Sequence, residues 1–211
     1  MYKKYNKTSY ILLLPLEVNG IVNQDTLIAM DKALVDGWKY KEPDYKKAPW
    51  VKTAETQIGV SEYAGKHKEN PQIREYYKAG KYLWATDDSG SVNAWCGCFV
   101  AWVMQKAGYS SVKNAFRAKS WMSYGKKIDE PVHGAIGIKS RKGGGHTAFI
   151  VGKSKDGKYY YMLGGNQSDQ VNISKYKKED WDMFVVPSKY DTTNAKLPIY
   201  SKQADKSSKE S

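Results

Sequence analysis

The two cysteines of this chain, Cys96 and Cys98, are one residue apart in the stretch NAWCGCFVAW. Such a pair could provide a nucleophile, half of a metal site, a disulfide or apolar packing. Cysteines at this spacing rarely form a disulfide, because the local backbone seldom allows the required dihedral angle. On a helix, residues i and i+2 point roughly 200° apart, so the two thiols could not bind one ion. Because no histidine lies at a familiar zinc spacing, we expect neither a metal nor a cofactor.

Cys96 is the better candidate for a nucleophile. It lies at the predicted start of a helix, where the helix dipole and unpaired N–H groups lower a thiol pKa and can hold an oxyanion. Cys98 falls deeper in the helix, beside Phe99 and Trp102, which favours a packing role.

A reactive thiolate needs a base, which is usually a histidine oriented by a third polar residue. Of the three histidines, His67 lies in the charged AGKHKEN and His133 precedes a glycine. His146 opens an apolar strand after the flexible KGGG, which favours it as the base. In LGGNQSD, at the end of another strand, either Asn166 or Gln167 could orient the imidazole. From spacing alone, a structural histidine and two unreactive cysteines remain an alternative.

Three further residues could line a substrate groove: Glu62 in GVSEYAG, Asp88 ahead of the cysteine helix, and Trp95. Each has a structural alternative. Glu62 could cap a helix or form an ion pair, Asp88 could belong to a turn, and Trp95 could lie in the core.

The elements that must position these residues change in type along the chain. Capping and stop residues predict helices first. The first is expected over Trp50–Ile58 after Pro49, and the second begins at Pro71 after Asn70 and is stopped by Gly80. The third runs from Trp95 or Cys96 to Ala107, and the fourth covers Ala115–Tyr124. After Pro131, short apolar or alternating runs separated by turns predict antiparallel strands, with a hairpin at KDGK. Helices followed by an antiparallel sheet predict an α+β fold.

Two flanking segments differ from the predicted domain at 46–188. Residues 1–45 form a predicted helical extension, in which VNGIVNQDTLIAMDKAL resembles part of a peptidoglycan-binding module. A helix that packs on the main domain is the alternative. Residues 189–211 are polar, and we expect them to be disordered.

The composition limits the classes of partner. The net charge of +12 over 211 residues indicates polyanionic surroundings. Nucleic acid is not expected, because the basic residues are scattered and no nucleic-acid motif is present. The run Ile11-Leu12-Leu13-Leu14 is too short for a membrane span or a secretory signal. We therefore expect synthesis in the cytoplasm without a signal peptide and no membrane-spanning segment.

The motifs WC..FV.W, GH..F.VG and GGNQ.D.V occur in that order and resemble the papain-like amidohydrolases of the CHAP and NlpC type. The similarity extends from Trp50 to Pro187. It implies a cysteine at a helix N-terminus, packed on an antiparallel sheet that carries the histidine. Carried over, the nucleophile is Cys96, the base His146 and the third member Asn166. CHAP enzymes often have a glutamate at the position of Gly164, so its absence leaves Gln167 as a substitute.

The resemblance also implies a substrate. The family hydrolyses amide bonds of bacterial peptidoglycan, either between muramic acid and L-alanine or within the stem peptide. A protein of this kind would act in the periplasm or on the cell wall, as an antibacterial secreted effector with an immunity protein or as a phage-type lysin. The alternatives are a non-catalytic cell-wall-binding module and an acyltransferase on the same fold.

Overall fold

The computed structural model describes residues 45–63, 68–90, 92–141 and 143–200. The predicted N-terminal helix and His67 lie outside these residues. Contacts divide the chain into Met1–Asp44 and Tyr45–Ser211, and the described residues all belong to the second unit. In this part of the chain, no helix combines the length and the apolar character needed to cross a membrane.

Three α-helices precede the sheet: α1 (Pro49–Glu55), α2 (Pro71–Gly80) and α3 (Cys96–Lys106). The start signals of α1 and α2 are confirmed, since Pro49 and Pro71 occupy first-turn positions and the Asn70 side chain accepts a hydrogen bond from the Gln72 N–H. The predicted stop of α2 is shifted by one residue. Gly80 is still helical, and Lys81 takes the left-handed conformation with φ of 57°.

The fourth predicted helix, Ala115–Tyr124, is wrong in type and extent. The chain forms a 3-10 helix, η1 (Ala118–Ser123), preceded by an extended Arg117. Asn114 has a positive φ of 56°, which interrupts any helix begun earlier. The Trp121 indole N–H donates to the Ala115 carbonyl oxygen at 3.0 Å, so a side chain satisfies this carbonyl in place of a helical hydrogen bond.

Six antiparallel strands form one sheet in the order β1-β6-β2-β3-β4-β5. They are β1 (Lys126–Ile128), β2 (Ile136–Arg141), β3 (Gly144–Lys153), β4 (Tyr159–Gln167), β5 (Gln170–Lys177) and β6 (Met183–Val186), with a second 3-10 helix, η2 (Lys178–Asp180), before β6. The KDGK hairpin between β3 and β4 is confirmed, with Gly157 at φ of 71°. The predicted α+β class is therefore correct.

The core lies between α3 and the central strands. Eight of the eleven residues of α3 are buried, and Phe99 contacts Phe149 of β3 with ring centroids 6.2 Å apart. Burial of large aromatic side chains contributes most to such a core. The packing holds the N-terminus of α3 against β3.

The expectation of disorder is wrong for residues 189–200. Tyr190 is buried and packs against Trp50, with ring centroids 4.8 Å apart. The backbone of Lys153 on β3 donates to the Pro198 carbonyl and accepts from Tyr200, both at 2.9 Å. Apolar side chains spaced among the polar ones anchor this segment. Residues 201–211 lie outside the described part of the chain.

Candidate active site

Cys96 is the first residue of α3 and is buried. Burial raises the pKa of its thiol, but stronger combined effects lower the pKa below its ordinary value. These effects are a hydrogen bond from His146, the charge of that imidazole, and backbone N–H donors of Thr147 and Gly97. The surroundings of Cys96 therefore favour its deprotonated form, against the effect of burial.

Cys98 has the opposite character. Its side chain is fully buried, and burial together with the nearby Cys96 raises its pKa well above the usual value. The Cys98 thiol stays protonated and packs against Gly80 of α2, where a Cβ would lie 2.4 Å from the sulfur.

His146 on β3 is oriented by Gln167. Its Nε2 lies 3.1 Å from Oε1 of Gln167. The Gln167 amide cannot be reversed, because its Nε2 faces three acceptors, the carbonyl oxygens of Met162 and Asn172 and Oδ1 of Asn172, at 3.2, 2.8 and 2.9 Å. Since Oε1 only accepts, Nε2 of the imidazole carries the proton. Nδ1 is then the ring nitrogen left for the sulfur of Cys96.

Asn166 does not take the position predicted for it. Its Nδ2 donates to the Gly90 carbonyl at 3.3 Å. A bulge between Gly164 and Gln167, with Asn166 at φ of 56°, turns Gln167 toward the imidazole instead. A Cβ at Gly164 would lie 2.9 Å from Oε1 of Gln167, so the Gln167 amide occupies the space beside Gly164. Of the two candidates, Gln167 is the one that contacts His146.

Residues 86–166 match the family model of the CHAP domain. The matched range includes Cys96 and His146 and ends immediately before Gln167. CHAP domains are typically hydrolases associated with peptidoglycan. No curated protein and no solved structure matches this chain.

Two of the three residues predicted to line a substrate groove, Trp95 and Asp88, have structural roles instead. Trp95 is fully buried, and its indole N–H donates to Oε1 of Glu62 at 2.8 Å. Asp88 is 2% exposed, and its Oδ2 accepts from the backbone N–H groups of Tyr63 and Asn70 at 2.9 and 2.7 Å. Neither side chain is available to a substrate in this structure.

Glu62 is half-buried, and its carboxylate links Trp95 to the loop that contains Gly90. Its Oε1 also accepts from the Gly90 N–H at 2.9 Å, and burial raises the pKa of the carboxyl group. Oδ1 of Asn166 is buried without a hydrogen-bond partner among the described residues. A Cβ at Gly90 would lie 2.1 Å from this oxygen and 2.5 Å from Oε1 of Glu62. The network joins Trp95, which precedes Cys96, to the end of β4.

The prediction from sequence missed the residues that support Gln167. Tyr176 Oη donates to Gln167 Oε1 at 3.2 Å, and the Asn172 amide donates to the Gln167 carbonyl at 2.8 Å. Both belong to the alternating run QVNISKY. Residues two apart on a strand share a face, so this pattern could have identified them as neighbours of the site.

Within the described residues, no group of three or more His, Cys, Asp or Glu side chains could hold a metal ion. His133, the other described histidine, is buried, and its Nδ1 accepts from the Ala48 N–H at 3.4 Å. It supports the fold rather than the site.

Proposed function

We propose that this protein is a cysteine-dependent hydrolase that cleaves an amide bond of bacterial peptidoglycan, with Cys96 as nucleophile and His146 as base. One observation supports it above all. The thiol at the first turn of α3 is hydrogen-bonded to an imidazole on β3, and its pKa is lowered despite burial. We interpret this thiol–imidazole pair as a papain-like arrangement, and both residues lie within the range that matches the CHAP domain.

The proposed reaction has two stages. The Cys96 thiolate attacks the carbonyl carbon, and backbone N–H groups of the first turn of α3 stabilise the oxyanion. As the C–N bond breaks, the His146 imidazolium gives its proton to the leaving amine, and a thioester remains. His146 then takes a proton from water, the hydroxide attacks the thioester, and the acid and the free thiolate are released. Gln167 holds the imidazole in the required tautomer through Oε1.

The charge of the chain agrees with this substrate. Cell-wall polymers and the carboxylates of the stem peptide are anionic, and the net charge of +12 favours association with them. The bond cleaved is either the N-acetylmuramoyl–L-alanine amide or an amide within the stem peptide. We propose that the protein acts in the periplasm or on the cell wall, of a target cell or at lysis. If it is an antibacterial effector, an immunity protein that covers Cys96 is expected, whereas a phage-type lysin would need none.

Incubation with purified peptidoglycan, followed by mass spectrometry of the released fragments, tests the proposal. We expect fragments from the wild type and none from Cys96→Ala. Cys98→Ala is the matched control, since it removes a thiol two residues away and should cost only packing energy. The masses identify the bond that is cut. Equal fragments from wild type and Cys96→Ala would exclude the thiol mechanism. Loss of activity in a folded Cys98→Ala would show that Cys98, and not Cys96, is the nucleophile.

A further inference from the structure

A group of three aromatic rings, of which Trp84 is exposed and the other two are partly buried, lies outside the catalytic residues. We call Tyr82, Trp84 and Phe116 the Trp84 platform. Trp84 is 63% exposed, although its ring contacts the edges or faces of Tyr82 and Phe116 at centroid distances of 5.0 and 5.2 Å. Tyr82 and Phe116 are themselves stacked, 5.0 Å apart. Two fixed neighbours therefore hold a large ring in a defined orientation while most of its surface faces solvent.

The platform is attached to the start of α3. Oη of Tyr82 lies 3.2 Å from Oδ1 of Asn93, three residues before the nucleophile. On the other side, a Cβ at Gly97 would lie 3.1 Å from the Phe116 carbonyl oxygen. The rings are thus connected to residues that flank Cys96 in sequence on both sides.

The segment that follows Phe116 passes close to Gly145, the residue before His146. The Arg117 guanidinium lies 5.4 Å from the Phe116 ring centroid, and this side chain is exposed. The exposed Lys119 has its Cγ 3.3 Å from the position of a Cβ at Gly145, next to His146. Arg117 and Lys119, both positively charged, therefore follow Phe116 in sequence. This segment contacts Gly97, next to Cys96, and Gly145, next to His146.

We propose that the Trp84 platform binds a sugar ring of the glycan strand, while Arg117 and Lys119 face carboxylates of the attached peptide. This inference rests on the proposed function and names the glycan as a bound part of the substrate. A pyranose ring presents a flat face of C–H groups, which stacks on a preorganised indole with little loss of conformational entropy. An exposed indole held by two partly buried rings, next to residues that flank the proposed nucleophile, is also typical of a binding site.

The direct test uses chitotetraose, a chain of four N-acetylglucosamine units without peptide, and isothermal titration of the full-length protein. We expect Trp84→Ala to bind at least about tenfold more weakly than the wild type and Trp84→Phe to retain most of the affinity. Ile199→Ala is the control, because it shortens another exposed apolar side chain, 57% exposed, near the C-terminal end of the described residues. No binding by the wild type, or equal binding by Trp84→Ala, overturns the proposal.

A second titration separates a sugar site from a peptide site. A soluble stem peptide without glycan should bind wild type and Trp84→Ala equally, whereas a loss confined to this peptide would overturn the proposal in favour of peptide binding. Both titrations are independent of turnover and can be repeated with Cys96→Ala. Failure of the hydrolase proposal appears as absence of Cys96-dependent fragments, and failure of the sugar site appears as unchanged chitotetraose binding.

Discussion

At the scale of single residues, two cysteines in the same turn of α3 have opposite acid–base properties. Cys96 faces the donors His146 and Thr147 N–H, which lower its thiol pKa despite burial. Cys98 is buried without comparable donors and lies near the charge of Cys96, so its pKa is raised well above the ordinary value. A thiolate forms only where hydrogen bonds and positive charge exceed the cost of desolvation.

This difference predicts selective alkylation. Iodoacetamide at pH 7 should modify Cys96 and leave Cys98 unmodified until the protein is unfolded. The rate at Cys96 should fall as the pH drops through its lowered pKa, because protonation removes the nucleophile. His146→Ala should slow the reaction about tenfold or more by removing the hydrogen bond and the charge. Tandem mass spectrometry locates the label, and equal labelling of both cysteines in the folded protein would contradict the assignment.

The contact between His146 and Gln167 predicts unequal roles for two adjacent amides. Gln167→Ala should lower kcat about 10- to 100-fold with little change in KM, because it removes a hydrogen bond that orients the base. Peptidoglycan hydrolysis by folded variants, checked by circular dichroism, measures this effect.

Asn166→Gly is the matched control for that experiment. Glycine tolerates the positive φ of 56° at this position, so the side chain is removed without backbone strain. We expect kcat to change by no more than a few-fold. The reverse ranking of the two variants would return the orienting role to Asn166.

At the scale of elements, the position of Cys96 depends on how closely α2 approaches α3. The two helices meet where Gly80 lies against Cys98, and a Cβ at Gly80 would be 3.0 Å from the Cys98 Cα as well as overlapping its sulfur. Gly80 is therefore required for helix packing, and Lys81 provides the left-handed residue that ends α2.

A double-mutant cycle tests this contact. Gly80→Ala should destabilise the protein by about 1–3 kcal/mol through overpacking. In a Cys98→Ala background the same change should cost less, because the sulfur that the new methyl group meets is gone. Urea unfolding of the four proteins gives the coupling energy. Strictly additive effects would show that the two residues do not limit the approach of the helices.

At the scale of the whole molecule, His133 joins distant parts of the chain. Its ring Nδ1 accepts from the Ala48 N–H, and its backbone N–H donates to the Lys196 carbonyl oxygen at 3.2 Å. Burial, with the nearby Lys47, lowers the pKa of His133 to about 4. The imidazole is therefore neutral in the folded protein at pH values where an exposed histidine would be half charged.

This pKa predicts that acid weakens the fold. Between the unfolded value of 6.5 and the folded value of about 4, the unfolded chain binds the proton more tightly, so stability falls as the pH decreases. The contribution of His133 should be about 2 kcal/mol lower at pH 5 than at pH 7.5. Urea unfolding at both pH values should show a smaller difference for His133→Gln than for the wild type. An unchanged difference would mean that another group causes the acid sensitivity.

Local patterns in the sequence determined much of this molecule. Proline and asparagine at helix starts, glycines in turns and alternating apolar runs act over a few residues, so they predicted α1, α2, α3 and the antiparallel strands. The same local logic placed Cys96 at a helix N-terminus and His146 on a strand. These features depend on neighbours in the chain and need no knowledge of the fold.

Only the tertiary structure decided which side chains meet. A bulge and a positive φ at Asn166 turned Gln167 toward His146, and burial between α3 and β4 converted Trp95 from a possible groove residue into core. Anchoring aromatics such as Tyr190 ordered residues 189–200 despite their polar composition. The physical reason is common to all three: hydrogen-bond partners and burial are set by contacts between residues far apart in sequence, which periodicity and composition do not encode.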